Sequence, residues 1–312
     1  MELATLRFVI IAPEAEVVKW TAAFAAIAPE VTLEVGPEVP QPEAVSVLLL
    51  WNHPQGSLRP FTQARLIYSL GAGVDHLMRD PHLPKQIPIC RIVDPLLSFS
   101  MSNYILFALL HYHRQWDKYT ADQQRRIWDH DAPPERSVKV GILGLGTLGQ
   151  DAAQKIHALS FEVVGYSPSP KKLPGITTFH EGELDEFLAN CNVLVCTVPY
   201  TLKTHGLLSM SLFKKLTAPT FLINASRGKV QKSTDILEAL DQGILTGAFL
   251  DVFEEEPLPQ TSPFWSHPKV YITPHVASIT NPQAGVRQML KNLRALTDQK
   301  PLEHLVNLEK GY

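Results

Sequence analysis

Apolar residues along this chain fall into short continuous runs separated by longer stretches of mixed character. In the first third the runs are Leu6–Ile11, Val45–Leu50, Leu66–Leu70 and Ile89–Val93, with helix-like stretches such as Glu14–Ala26 between them. Runs that are mainly apolar, rather than strictly alternating, suit strands buried on both faces, and helices between them make a parallel sheet covered on both sides. The middle of the chain repeats the pattern at Val138–Leu143, Phe161–Tyr166, Val193–Val198, Thr220–Asn224, Gly247–Val252 and Val270–Thr273. Those runs predict six strands of a complete doubly wound sheet. Between the two sets, Met101–Trp128 holds no Gly or Pro, and Ile105, Leu109, Tyr112, Trp116 and Tyr119 recur at spacings of four and three. That is one face of a helix packed between domains, and its Tyr and Trp content also suits a subunit contact. A second long helix, Pro282–Thr297, is expected to close the chain. Proline clusters at Pro37–Pro42, Pro81–Pro88, Pro133–Pro134, Pro168–Pro174 and Pro257–Pro263 read as loops.

Composition narrows the class. A chain of 312 residues with 45% apolar and 19% charged residues is long enough for two domains with sizeable cores. Its net charge is −3 and no long Lys/Arg run is present, so neither nucleic acid nor a membrane surface is an expected partner. An anionic substrate stays open, because one well-placed Arg can bind it. Three cysteines, Cys90, Cys191 and Cys196, fit a reducing cytosol better than a disulfide framework, and no paired zinc-ligand spacing accompanies them. The strand-like start lacks the basic end and apolar stretch of a signal peptide, and no apolar run reaches the ~18 residues of a membrane helix.

The most specific local signal is Gly144-Leu-Gly146-Thr-Leu-Gly149, directly after one predicted strand and before a helix-like run, Gln150–Leu159. Gly144 permits the tight turn, Gly146 lets backbone approach a pyrophosphate, and Gly149 lets helix and strand pack closely. The helix N-terminus offers N–H groups and partial positive charge to the phosphates. The next strand ends at Ser167, where NAD-binding members of this fold carry an acid for the ribose 2′-hydroxyl. Ser167, Lys171 and Lys172 replace a carboxylate that would repel a 2′-phosphate, so NADPH is the preferred cofactor and NADH the second option.

Three ionisable residues lie just past strand ends: Arg227 in Asn224–Gly228, Glu256 in Asp251–Pro257 and His275 in Thr273–Ala277. Ligands of open α/β sheets bind at that edge. Hydride transfer to a ketone leaves an oxygen that needs a proton, which a His supplies near neutral pH. A carboxylate beside the His favours its imidazolium form, and an Arg holds a carboxylate with two parallel hydrogen bonds. Together they describe reduction of a 2-oxo acid. Of the neighbouring acids, Glu256 is chosen because it directly precedes Pro257, leaving Glu254 and Glu255 as solvated side chains.

The segments Gly71–Asp75, Gly144–Gly149, Asn224–Gly228, Leu250–Leu258 and Thr273–Ala277 resemble, in order and over nearly the whole chain, those of the D-isomer-specific 2-hydroxyacid dehydrogenases. Within that family the chain is most similar to the bacterial glyoxylate/hydroxypyruvate reductase branch, through its length, Trp51-Asn-His-Pro54 and the terminal Gly311-Tyr312. The resemblance implies two doubly wound parallel-sheet domains. One is a flavodoxin-like substrate domain over 1–102, completed by 280–312, and the other a Rossmann NAD(P)-binding domain over 103–279. It implies that Arg227 holds the substrate carboxylate, that His275 is the acid/base and that Glu256 is its partner. Ala72 and Gly73 would bind the carboxylate through backbone N–H groups, with Trp51 as a lid. Thr147 and Leu148 would contact the pyrophosphate, Val198, Pro199 and Ala225 would line the cofactor pockets, and Asp251 would bind the nicotinamide carboxamide. It further implies reduction of glyoxylate to glycolate or hydroxypyruvate to D-glycerate, and a homodimer. The branch often carries an Arg where this chain has Ser167-Pro-Ser-Pro, which leaves Lys171 and Lys172 to meet a 2′-phosphate. Two alternatives stay open: another D-2-hydroxyacid dehydrogenase such as a phosphoglycerate type, and a dinucleotide sensor without turnover.

Overall fold

The computed structural model describes residues 6–131 and 135–309. The chain divides into two compact units: unit 1 comprises residues 1–96 and 279–312, and unit 2 comprises residues 97–278.

Unit 1 is built on five parallel strands: β1 (Phe8–Ile11), β2 (Leu33–Val35), β3 (Val47–Leu50), β4 (Leu66–Ser69) and β5 (Ile89–Arg91). Their spatial order is β2-β1-β3-β4-β5, the flavodoxin-like arrangement. Every residue of β1, β3 and β4 is buried, the polar Ser69 at the end of β4 included. Helix α1 (Glu14–Ile27) buries Trp20, Ala23 and Phe24, while the short α2 (Asp75–Met78) follows β4.

Unit 2 carries seven parallel strands: β6 (Lys139–Leu143), β7 (Glu162–Tyr166), β8 (Thr177–Phe179), β9 (Val193–Cys196), β10 (Thr220–Asn224), β11 (Leu245–Leu250) and β12 (Val270–Ile272). Their order, β12-β11-β10-β9-β6-β7-β8, reverses between β6 and β9, which is the switch point of a Rossmann sheet. Two apolar layers, one on each face of that sheet, form the core.

Three expectations need correction. First, the apolar runs do not announce β2 and β8. Each is three residues long and neither reads as an apolar run: β8 is Thr-Thr-Phe, and β2 carries Glu34. Second, Met101–Trp128 is two helices rather than one: α3 (Pro95–His113) and α4 (Trp116–Arg125). Gln115 turns left-handed (φ 54°) between them, and the Arg136 guanidinium donates to Tyr112 O (2.6 Å), satisfying a carbonyl at the end of α3. The apolar face therefore holds for Met101, Ile105, Ala108 and Leu109 and lapses at Trp116, which is 60% exposed. Third, α6 (Leu184–Ala189), α7 (Met210–Phe213) and α8 (Ser233–Asp241) precede α9 (Pro282–Thr297), and α9 does not close the chain. Beyond it Leu305 pairs antiparallel with Cys90, and Val306 N–H donates to Ile89 O (2.8 Å). Pro133–Pro134 and Gly311–Tyr312 lie outside the described residues.

Candidate active site

The Gly144–Gly149 turn links β6 to α5 (Thr147–Ala158). Gly144 adopts φ +112°, a conformation that side chains resist. A β-carbon at Gly149 would lie 1.9 Å from Gly144 O, so the helix can sit this close to the strand only without one. At Gly146 a β-carbon would meet nothing within 4 Å, so the backbone there fronts open space. No side chain of the described residues caps the first turn of α5. An unfilled space beside uncapped helix N–H groups fits a pyrophosphate. Thr147 is exposed and Leu148 half-buried at this end. Thr197, which no motif marks, fixes the turn by donating from Oγ1 to Gly144 O (2.8 Å). Val198 and Ala225 are buried beyond β9 and β10, and Pro199 is exposed.

Ser167 is buried at the end of β7, its N–H donating to Phe179 O (3.1 Å) in β8. The connecting loop is tied back by Thr178 Oγ1 donating to Lys171 O (2.6 Å). The Lys171 ammonium makes no ion pair among the described residues.

Arg227, Glu256 and His275 follow β10, β11 and β12, three neighbouring strands. Glu256 bridges the set. Its Oε1 accepts Phe253 N–H (2.9 Å), and its Oε2 meets His275 Nδ1 at 2.8 Å. Burial alone would raise the Glu256 pKa. The hydrogen bonds from His275 and Phe253, with the charges of His275 and Arg227, outweigh it and hold the carboxyl below its ordinary value.

The loops carrying these residues are pinned from behind. Asn224 Oδ1 accepts Ser226 N–H (3.1 Å) and Ser226 Oγ–H (2.7 Å), and Asn224 Nδ2 donates to Gln231 Oε1 (2.8 Å), shaping the turn into Arg227. Gly228 lies flat against the Glu256 loop: a β-carbon on it would fall 1.7 Å from Phe253 O. His275 has φ 55°, uncommon outside glycine. Its N–H donates to Asp251 O (2.8 Å). The Asp251 carboxylate, buried at 1% exposure, accepts Thr273 Oγ1–H (2.6 Å), Val276 N–H (2.8 Å) and Ala277 N–H (2.9 Å). Tyr104 Oη on α3 meets Thr273 Oγ1 at 2.6 Å. Asp251 thus organises the His275 turn, a structural duty that its place in the sequence did not announce. Glu254 also differs from expectation. It is not merely solvated, because its Oε2 accepts Ser233 N–H (2.6 Å) at the start of α8. A carboxylate there satisfies an orphan donor.

In unit 1, Ala72 and Gly73 sit in the turn after β4, both half-buried. Ser69 Oγ donates to Gly73 O (2.8 Å) and meets His76 Nε2 at 3.0 Å. The Trp51 indole packs on Gly71, where a β-carbon would approach it to 2.6 Å, and edge-on to the His76 ring at 4.6 Å.

A dinucleotide cradle and an Arg–Glu–His set on one strand edge define an α/β dehydrogenase of hydroxy acids. The chain belongs to the D-isomer specific 2-hydroxyacid dehydrogenase family, whose NAD binding domain profile matches residues 106–277. Glyoxylate/hydroxypyruvate reductase A of Yersinia enterocolitica is 37% identical over 85% of this chain and 87% of its own. The protein of the same name from Serratia proteamaculans is 38% identical over the same shares. Among solved structures, the NADPH-dependent glyoxylate/hydroxypyruvate reductase of Sinorhizobium meliloti, in complex with NADP and sulfate, superposes with a TM-score of 0.91 at 34% identity. It covers 98% of this chain and 100% of that one. A D-isomer specific 2-hydroxyacid dehydrogenase of Xanthobacter autotrophicus, in complex with NADPH and MES, superposes at 0.90 with 33% identity over 99% of this chain and 100% of that one.

Proposed function

We propose that the chain is an NADPH-dependent reductase of small 2-oxo acids, converting glyoxylate to glycolate and hydroxypyruvate to D-glycerate. The observation that carries this reading is the 2.8 Å contact between His275 Nδ1 and Glu256 Oε2 on the strand edge that also presents Arg227. When bound, the dinucleotide supplies the hydride. Gly144, Gly146, Thr147, Leu148 and Gly149 hold its pyrophosphate, and Ser167 with Lys171 meets the 2′-phosphate. Val198, Pro199, Ala225 and Asp251 border its rings. Arg227 binds the substrate carboxylate through its planar fork and polarises the adjacent carbonyl. With Nδ1 committed to Glu256, the Nε2 proton of His275 is the one delivered to the carbonyl oxygen as it gains negative charge. Glu256, ionised at neutral pH, keeps the ring oriented and stabilises the imidazolium form. Ala72 and Gly73 N–H groups and Trp51 are the substrate contacts of unit 1.

The S. meliloti and X. autotrophicus neighbours, solved with NADP and NADPH, support the cofactor choice. A homodimer is part of the proposal, since Phe99, Phe107 and Trp116 on α3 and α4 are exposed, as a subunit contact would need. Light scattering showing a monomer at working concentration would reject that part.

The test is a substrate panel of glyoxylate, hydroxypyruvate, pyruvate and phenylpyruvate with NADPH and with NADH. Glyoxylate and hydroxypyruvate with NADPH are expected to give the highest kcat/KM. His275→Ala and Arg227→Ala should each lower it at least ~100-fold, the scale of a lost general acid or orienting charge. Near-wild-type turnover in both variants would overturn the assignment.

A further inference from the structure

Unit 1 holds a cation that its own described residues do not neutralise. Arg91 is the last residue of β5, at the carboxyl edge of the sheet and beside the turn that follows β4. Its main chain is fixed on both sides: the N–H donates to His304 O (3.2 Å), and the carbonyl accepts Gln288 Nε2–H (3.0 Å). Its guanidinium donates from Nη1 to Ala72 O (3.1 Å). Arg7, Arg79, Arg114 and Arg136 each lie beside a carboxylate. Arg91 has none among the described residues, although burial pulls its pKa below the usual guanidinium value. The partly buried guanidinium is therefore committed to a backbone carbonyl rather than to a carboxylate.

The peptide it grips shows what that commitment does. In a trans peptide the C=O and the following N–H point in opposite directions. Arg91, holding Ala72 O, therefore turns the Gly73 N–H away from itself. Ser69 Oγ holds the next carbonyl, Gly73 O, at 2.8 Å. Gly73 is thus clamped at both flanking peptides, with its N–H left as the donor. A cation on the carbonyl end of a peptide polarises the N–H at the other end.

We propose that Arg91 is a positioning residue for substrate binding: it aims and polarises the Ala72–Gly73 peptide so that the Gly73 N–H receives the carboxylate of a 2-oxo acid. This rests on the reductase reading above, and the experiment separates the two.

Arg91→Met, Arg91→Gln and Arg91→Lys are compared by kinetics with glyoxylate and NADPH. Calorimetric binding of oxamate, an unreactive carboxylate analogue, is measured in the presence of NADP. Arg91→Met should raise the glyoxylate KM and the oxamate Kd about tenfold, leaving kcat within threefold and the NADPH KM unchanged. Arg91→Lys, which keeps the charge, should recover most of the loss, and the uncharged Arg91→Gln should not. If Arg91→Met does not fold, the Lys–Gln difference carries the comparison. Oxamate affinity and glyoxylate KM within twofold of wild type in Met and Gln, or equal losses in Lys and Gln, would overturn the proposal. A wild-type enzyme that binds oxamate in an Arg91-dependent way but reduces neither glyoxylate nor hydroxypyruvate would overturn the reductase reading alone. A wild type that does not bind oxamate would overturn both.

Discussion

Gly228 has no room for a β-carbon, and the atom in the way belongs to the catalytic frame itself. The nearest neighbours of an added methyl would be Phe253 O at 1.7 Å and Phe253 C at 2.0 Å, with Glu254 N at 2.7 Å. All three are backbone, so no side-chain rotation relieves the clash. Restoring a normal contact needs about 1.5 Å of separation between the Arg227 turn and the loop that begins at Phe253, since carbon and oxygen settle only beyond ~3 Å. That displacement moves Arg227 relative to Glu256, because Phe253 N–H is the donor that fixes Glu256 Oε1. Misplacing a reacting constellation by ~1 Å costs on the order of 100-fold, or ~2.7 kcal/mol of barrier. The overpacked fold loses a further 1–3 kcal/mol of stability, roughly. Gly228→Ala should therefore fold, melt a few degrees lower and show kcat/KM for glyoxylate reduced ~100-fold, with NADPH affinity nearly unchanged. Steady-state kinetics with a thermal melt and NADPH titration on the same sample measure all three. Activity within threefold of wild type in a folded Gly228→Ala protein would show that the two loops are not interlocked as described.

Other perturbations test separate parts of the site. Asp251→Asn leaves one acceptor where Thr273, Val276 and Ala277 need a carboxylate, so kcat should fall ~10–100-fold with the His275 turn loosened; unchanged kcat would refute the anchoring role. Ser167→Asp places a negative charge where the 2′-phosphate is expected, so the NADPH-to-NADH ratio of kcat/KM should drop at least ~10-fold, and an unmoved ratio would put cofactor selection elsewhere. His53, buried against Asp80 at 3.1 Å, has its pKa lowered by burial despite that acid. The unfolded chain therefore takes up a proton first as pH falls below about 6.5, and stability should decline from there downward. Urea midpoints at pH 7.5 and 5.5 should differ in wild type and differ less in His53→Gln; equal differences would remove His53 as the cause.

Strands β1, β3, β4, β6, β7, β9, β10 and β11 are legible because burial on both faces leaves mainly apolar stretches. Strands β2 and β8 carry polar residues, Glu34 in one and Thr177 with Thr178 in the other, so no apolar run marks them, whereas β5 and β12, equally short and also at sheet edges, are marked by Ile89-Cys90 and Val270-Tyr271-Ile272. The break between α3 and α4 is a backbone event at Gln115, stabilised by Arg136 from a distant segment, so helical spacing alone runs straight through it. In the site, Glu256 and His275 stand out because each is an ionisable residue just past a strand, and the structure joins them by a hydrogen bond. Thr197, Thr273 and Tyr104 do not stand out. Their work depends on which backbone or hydroxyl group they meet, and a lone hydroxyl in a sequence does not specify that. Gly228 is visible only as part of a motif; its reason is the carbonyl of Phe253, in the loop after the next strand.

The last helix carries one more consequence, for the order in which the chain is made. Unit 2 is a single stretch and has all its strands once synthesis passes Ser278. Unit 1 does not. Asn292 of α9 donates to Tyr68 Oη (2.8 Å) across 224 residues, and Gly285 packs against Trp20 and Ile92 so closely that a β-carbon would come within 2.5 Å of the indole. At ribosomal rates of ~5–20 residues per second, the first sheet waits about 10–45 s for the helix that covers it. During that interval Trp20 and Tyr68 lack the contacts that α9 supplies, so the N-terminal sheet completes its packing only after the second sheet has been made.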